Sequence, residues 1–192
     1  MRLGDHQLYH SCEADLRSLI RSGVRDGVIA RDADDICTLI ERQLGIVIHR
    51  YPASLGGHPY GLLLRGQGFC ILLYERHTSA WHQAAIKLHE LAHILYNHRG
   101  TEDGTTAALR VLVPDIPAGQ LSTILRRTGE EDGHRPEDER QAEAFSTVGL
   151  AWFGDSQAQG RGHAAIPQHA APPDDPTVAG VVRRLLDDFA GG

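Results

Sequence analysis

Two histidines and a glutamate in the stretch Ala85-Ile86-Lys87-Leu88-His89-Glu90-Leu91-Ala92-His93 have the types and the spacing for metal chemistry. His89 and His93 are an i, i+4 pair, so on a helix their imidazoles stand one above the other on a single face. Two such nitrogens suit a catalytic zinc, which takes nitrogen and oxygen donors in a tetrahedral shell and keeps one position open. Glu90 is turned by about 100° from His89. Its carboxylate therefore falls beside a bound ion rather than on it, where it can take a proton from an attacking water. The competing reading is a solvated or capped surface pair. Against it, Ile86, Leu88, Leu91, Ala92, Ile94 and Leu95 make this helix apolar on nearly all sides, which predicts burial. Buried charge without a partner is costly, and one cation would serve all three side chains.

A catalytic zinc needs a third protein ligand. The metzincin pattern would require Gly and His where this chain has Tyr96 and Arg99, which excludes that class. His98 is predicted on the opposite helix face, as a surface residue or a helix-end cap. His82 shares the face of His89 but sits about 10 Å along the axis, too far to join the pair. A better source is Pro136-Glu137-Asp138-Glu139-Arg140-Gln141-Ala142-Glu143-Ala144-Phe145, where carboxylates interleave with Ala142, Phe145, Val148 and Leu150 as no purely solvated helix would. Either Glu139 or Glu143 could present its carboxylate to the histidines. An ordinary acidic first turn, favoured by the helix dipole, accounts equally well for the periodicity.

The two segments together, His89-Glu90-Leu91-Ala92-His93 followed by Glu139-Arg140-Gln141-Ala142-Glu143-Ala144-Phe145, resemble the ImmA/IrrE family of metallo-endopeptidases, with its H-E-x-x-H and E-x-x-A-x-x-F motifs. The resemblance implies that His89, His93 and Glu139 hold Zn2+ and that Glu90 is the catalytic general base. It further implies a hydrolase that cleaves or antagonises a helix-turn-helix transcriptional repressor. Leu73-Tyr74-Glu75-Arg76 is similar to the family's strand before the metal helix. The layout matches over roughly residues 13 to 150, and most specifically over 74 to 150. The chain departs from the pattern at Gln141, where members often carry a second acid, and at Val148-Gly149-Leu150-Ala151, where many have Leu-Leu-x-Pro. Tyr96 shares the helix face of His89 and His93, but core packing is its simpler role. An extended peptide substrate would pair with an edge of the sheet described next. The rival expectation is a non-catalytic zinc-binding interaction module, an anti-repressor or toxin component. Glu90 argues against it, because a structural zinc has no use for an unbound carboxylate.

The elements that must position these groups follow from periodicity and punctuation. Leu16, Leu19 and Ile20 predict a helix over Glu13 to Ser22, closed by Gly23. Asp32 is the predicted cap of a second helix with an apolar set of Ala33, Ile36, Leu39, Ile40 and Leu44 and a stop at Gly45. Ile46 to Tyr51 reads as a strand. Pro52 to Pro59 reads as a loop, and Tyr60–Leu64 and Phe69–Tyr74 as a hairpin around Arg65-Gly66-Gln67-Gly68. Thr78 or Ser79 should cap the motif helix, which runs to about Asn97. Leu121 to Arg127 looks helical, and Glu137 to about Phe153 forms the second motif helix, opened by Pro136. The expected fold is α+β: a small, mainly antiparallel three-stranded sheet packed on helices, including a central zincin-like H-E-x-x-H helix. The expected organisation is a metallopeptidase domain over 1–154, a flexible polar linker over 155–176, and an amphipathic C-terminal helix over 177–192. That helix has a stripe of Val178, Val181, Val182, Leu185, Leu186 and Phe189.

Bulk composition excludes other classes. The 192 residues are 41% apolar and 23% charged, enough for one sizeable core. The formal charge of −6 and the absence of a basic stripe argue against direct nucleic-acid binding. No apolar run approaches the ~18 residues of a membrane span, and Met1 to Asp15 lacks the apolar stretch of a signal peptide. Cys12, Cys37 and Cys70 form no C-x-x-C pair and read as reduced packing residues, so the expected location is cytoplasmic.

Overall fold

The computed structural model describes residues 3–55, 60–66, 68–98 and 135–158. The sequence readings for Leu121 to Arg127 and for the C-terminal helix lie outside these residues. Those described fall into two compact units, a set of helices and a sheet.

In the helical unit, α1 (Leu3–Arg25) buries Cys12, Leu16, Leu19 and Ile20 along one stripe. It runs straight through Gly23, where the sequence predicted its end. A Cβ on Gly23 would lie 2.3 Å from Leu39 Cδ2, so glycine here permits the close approach of the next helix rather than a stop. The turn falls at Gly27 instead, whose φ of 77° is the left-handed region that glycine adopts freely. The second helix, α2 (Ala33–Leu44), is bounded as expected. The Asp32 side chain accepts from the amides of Asp34 and Asp35 at 2.9 Å, and Gly45 closes the helix with φ 66°. Ala33, Ile36, Leu39 and Ile40 are buried, whereas Leu44, expected among them, is exposed.

The motif helix α3 (Ala80–Leu95) buries Ile86, Leu88, Leu91, Ala92 and Ile94, as its all-round apolar pattern requires. Lys87 is also buried, and its Nζ donates to Asp34 Oδ2 at 2.8 Å, tying α3 to the first turn of α2. The last helix, α4 (Pro136–Ala158), packs on both α1 and α3. Its buried residues Ala142, Phe145, Ser146, Gly149 and Phe153 continue upstream, at helical spacing, to Glu139. The helix carries on to Ala158, four residues into the stretch read as linker; residues 159–176 lie outside those described. Ser146 Oγ donates to the Ala85 carbonyl at 2.9 Å, so the two motif helices are pinned close to the histidine pair.

Gly149 permits that closeness. A Cβ there would lie 2.9 Å from Cδ1 of Leu88, the fully buried neighbour of His89. Gly149→Val should cost about 1–3 kcal/mol of stability through overpacking, read by chemical denaturation. Because the displaced group adjoins His89, metal affinity should fall with it.

The sheet unit contains β1 (Val47–Ala53), β2 (Gly61–Gly66) and β3 (Phe69–Glu75) in the order β1-β3-β2. The hairpin of β2 and β3 is antiparallel as expected, with Gly68 at φ 83° in its turn. The pairing of β1 with β3 is parallel, so the sheet is mixed and not mainly antiparallel. In β3, Cys70, Ile71, Leu72 and Leu73 are all buried, as suits a strand in the central position. The earlier strand then pairs on the far side of β3 from β2, beyond the reach of any short turn. Pro52, expected in the following loop, is instead inside β1, where an edge strand tolerates its missing amide hydrogen. At the end of β3 the buried Glu75 carboxylate accepts from the amides of Leu55 at 2.8 Å and His77 at 2.7 Å.

Candidate metal centre

The site assembles from α3 and α4. On α3 the Nε2 atoms of His89 and His93 converge to 3.0 Å. From α4, Glu139 brings Oε2 to 3.3 Å from His89 Nε2 and Oε1 to 3.7 Å from His93 Nε2. The donor atoms of His89, His93 and Glu139 all lie within 4.8 Å of one another, a grouping that could hold a metal ion. His93 is buried at 1% side-chain exposure, while His89 and Glu139 keep 26% and 42%, which leaves the centre reachable from solvent. Glu143, the alternative carboxylate, is exposed one turn further on and acts on His89 through its charge. Glu90 is half-buried on α3 beside His89.

Electrostatics favour a cation. Burial by itself pushes the His89 imidazole toward the neutral form. The hydrogen bond that His89 donates to the Glu139 carboxylate and the negative charges of Glu90, Glu139 and Glu143 outweigh that, so its pKa is raised. Three carboxylates therefore draw positive charge to the point on which the nitrogens converge.

His82 has no part in this grouping, in agreement with its distance along the helix. Tyr96 is a packing residue with a polar tip: its ring meets Phe145 edge-on at 5.9 Å, and its hydroxyl donates to Asp15 Oδ2 at 3.1 Å. Burial, followed by the proximity of Cys12 and Asp15, pushes the Tyr96 phenol up, so it stays protonated.

His98 departs most from expectation. It is buried, neither a surface residue nor a simple cap. The end of α3 is a Schellman turn in which the His98 amide donates to the His93 carbonyl at 3.0 Å and the Asn97 amide to Ile94 at 3.1 Å. Asn97 takes the left-handed conformation at φ 52°, and this folds His98 back under His93. Its Nδ1 lies 3.0 Å from His93 Nδ1, and its Nε2 lies 3.0 Å from Gln141 Oε1. Gln141 was legible in the sequence only as a departure from a family pattern. The usable signal was Asn97, a residue tolerant of the left-handed region directly after a helical pattern.

Comparison with family models, with curated proteins and with solved structures gives no match to this chain. Among the described residues, no helix is long and apolar enough to cross a membrane.

Proposed function

We propose that this protein is a zinc-dependent peptidase, with a metal site of His89, His93 and Glu139 and with Glu90 as general base. The observation that carries this reading is the spacing of three donors of the right kinds. Zinc bonds of about 2.0–2.2 Å in a tetrahedral shell put neighbouring donors roughly 3.3–3.6 Å apart. Here the histidine nitrogens are 3.0 Å apart, and the Glu139 carboxylate brings Oε2 to 3.3 Å from His89 and Oε1 to 3.7 Å from His93, near that range. Two imidazoles with one carboxylate are the donor set of hydrolytic zinc, which keeps a position open, whereas structural zinc is closed by four protein ligands.

Zinc held by these residues would supply a Lewis acid that polarises a peptide carbonyl and would lower the pKa of its water to about 7. Glu90 would accept the proton of the attacking water and return it to the leaving amine. His93, buried, would fix the ion's position, while the more exposed His89 and Glu139 border the side open to substrate. The H-E-x-x-H and E-x-x-A-x-x-F spacing of the ImmA/IrrE type supports a zincin-like helix in α3 and a helix-turn-helix repressor as the substrate.

The direct test is to incubate the purified protein with candidate helix-turn-helix repressors, any encoded beside it first, and to map fragments by mass spectrometry. Cleavage should stop on chelation and return when zinc is added back. An intact repressor alongside full derepression would make the chain an antagonist that acts by binding.

A further inference from the structure

We infer that His98 and Gln141 form a hydrogen-bonded relay that sets the tautomer of His93 and so delivers its Nε2 lone pair to a divalent cation. The inference rests on the proposal that His89, His93 and Glu139 hold a metal; it does not require that the protein be a peptidase.

Three contacts fix where the ring hydrogens sit. A neutral imidazole has one donor nitrogen and one acceptor nitrogen. Gln141 Oε1, 3.0 Å from His98 Nε2, can only accept. Asp138 Oδ1, 3.9 Å from the same nitrogen, is likewise an acceptor. Nε2 of His98 must then carry the hydrogen, which leaves its Nδ1 as a bare acceptor. Facing it at 3.0 Å is Nδ1 of His93. Two bare nitrogens at that distance would repel, and both rings are buried away from compensating water, with His93 at 1% and His98 at 6% exposure. Nδ1 of His93 therefore donates. The remaining nitrogen of His93, Nε2, is bare, and it is the atom directed at His89 Nε2 and Glu139.

Ligating histidines commonly owe their orientation and basicity to such an outer partner, usually a carboxylate or a backbone carbonyl. Here the immediate partner is a second imidazole, and its own proton is held by a glutamine amide. The relay depends on the reversal at Asn97, since a helix continuing past Tyr96 would carry residue 98 away from His93. It also crosses from α3 to α4, so the glutamine that sets the tautomer lies on the same helix as the third donor, Glu139.

The test uses the full chain and two readouts. In the metal-free wild type, long-range 1H–15N correlation spectra of the imidazole rings should report His93 with its proton on Nδ1. Zinc affinity, measured by competition with a chromophoric chelator, should fall about 10–100-fold in His98→Phe and Gln141→Leu. It should rise in Gln141→Glu, whose carboxylate can only accept and does so more strongly. This rescue by an acceptor at position 141 is what a merely structural role would not produce. A proton on Nε2 of His93, undiminished affinity in His98→Phe and Gln141→Leu, or weakened affinity in Gln141→Glu would each overturn the relay. The underlying metal assignment fails in a different way: the wild type binds no zinc, or His89→Ala binds it as tightly as the wild type. Either of those outcomes removes the relay as well.

Discussion

His89→Ala and His93→Ala should each reduce bound zinc from about one ion per chain to near none, since three protein donors are the minimum of the hydrolytic site. His89→Ala is the cleaner variant. Its ring is partly exposed, whereas His93 is buried and truncating it strands the nitrogen of His98 that it contacts. Elemental analysis of metal-replete protein gives the stoichiometry, and full occupancy in both variants would put the ion elsewhere. The carboxylates should separate as well. Glu139 brings one oxygen to 3.3 Å from His89 Nε2 and the other to 3.7 Å from His93 Nε2, whereas Glu143 acts on His89 by its charge. Glu139→Ala should therefore weaken binding far more than Glu143→Ala, and the reverse order would shift the third ligand by one helical turn. Stability offers an independent check. Free zinc at 1,000 times its Kd should stabilise the wild type by about 4 kcal/mol, and that gain should vanish in His89→Ala.

Glu90→Gln should abolish peptide hydrolysis while leaving zinc content and fold nearly unchanged. Glutamine has the shape of glutamate but cannot accept a proton from water, so the expected loss is at least the 10²–10⁴-fold (order of magnitude) associated with general-base removal. Zinc should stay because Glu90 is outside the group of converging donors. A modest change in affinity is expected, since Glu90 adds negative charge near His89. Cleavage of a candidate repressor, or derepression of its target gene, is to be measured for wild type and variant side by side. Equal derepression by the variant would mean that the protein works by contact, and the peptidase proposal would then be abandoned.

Much of the site's frame was legible from local signals. The i, i+4 histidines needed only helical geometry and an apolar helix around them. The bounds of α2 followed from Asp32 and Gly45, whose side chain and left-handed backbone act on their own immediate neighbours. Glu139 was narrowed to one of two carboxylates by periodicity. A resemblance singled it out, and the packing of α4 on α3 brings it to the histidines. Gly23 misled because a glycine can end a helix or admit a neighbour, and only the position of Leu39 distinguishes the two. The mixed sheet was missed for a related reason. Consecutive strands need not be adjacent, and here β3 lies between β1 and β2.

The sequence by itself determined which atoms are available for chemistry: two imidazoles on one helical face, a glutamate beside them, and carboxylates on a later helix with one apolar stripe. Covalent geometry and helical periodicity are local, and these facts follow from them. Tertiary structure decided how a carboxylate reaches the imidazoles and which side chain stands behind them. Ser146 on the Ala85 carbonyl and the absence of a Cβ at Gly149 set the registry of α4 on α3, and with it the 3.3 Å approach of Glu139 to His89. A single left-handed residue, Asn97, turned His98 from an expected surface position into the buried neighbour of His93. Both outcomes depend on contacts between residues far apart in the chain or on one reversal of the backbone, and neither leaves a periodic trace in the order of the residues.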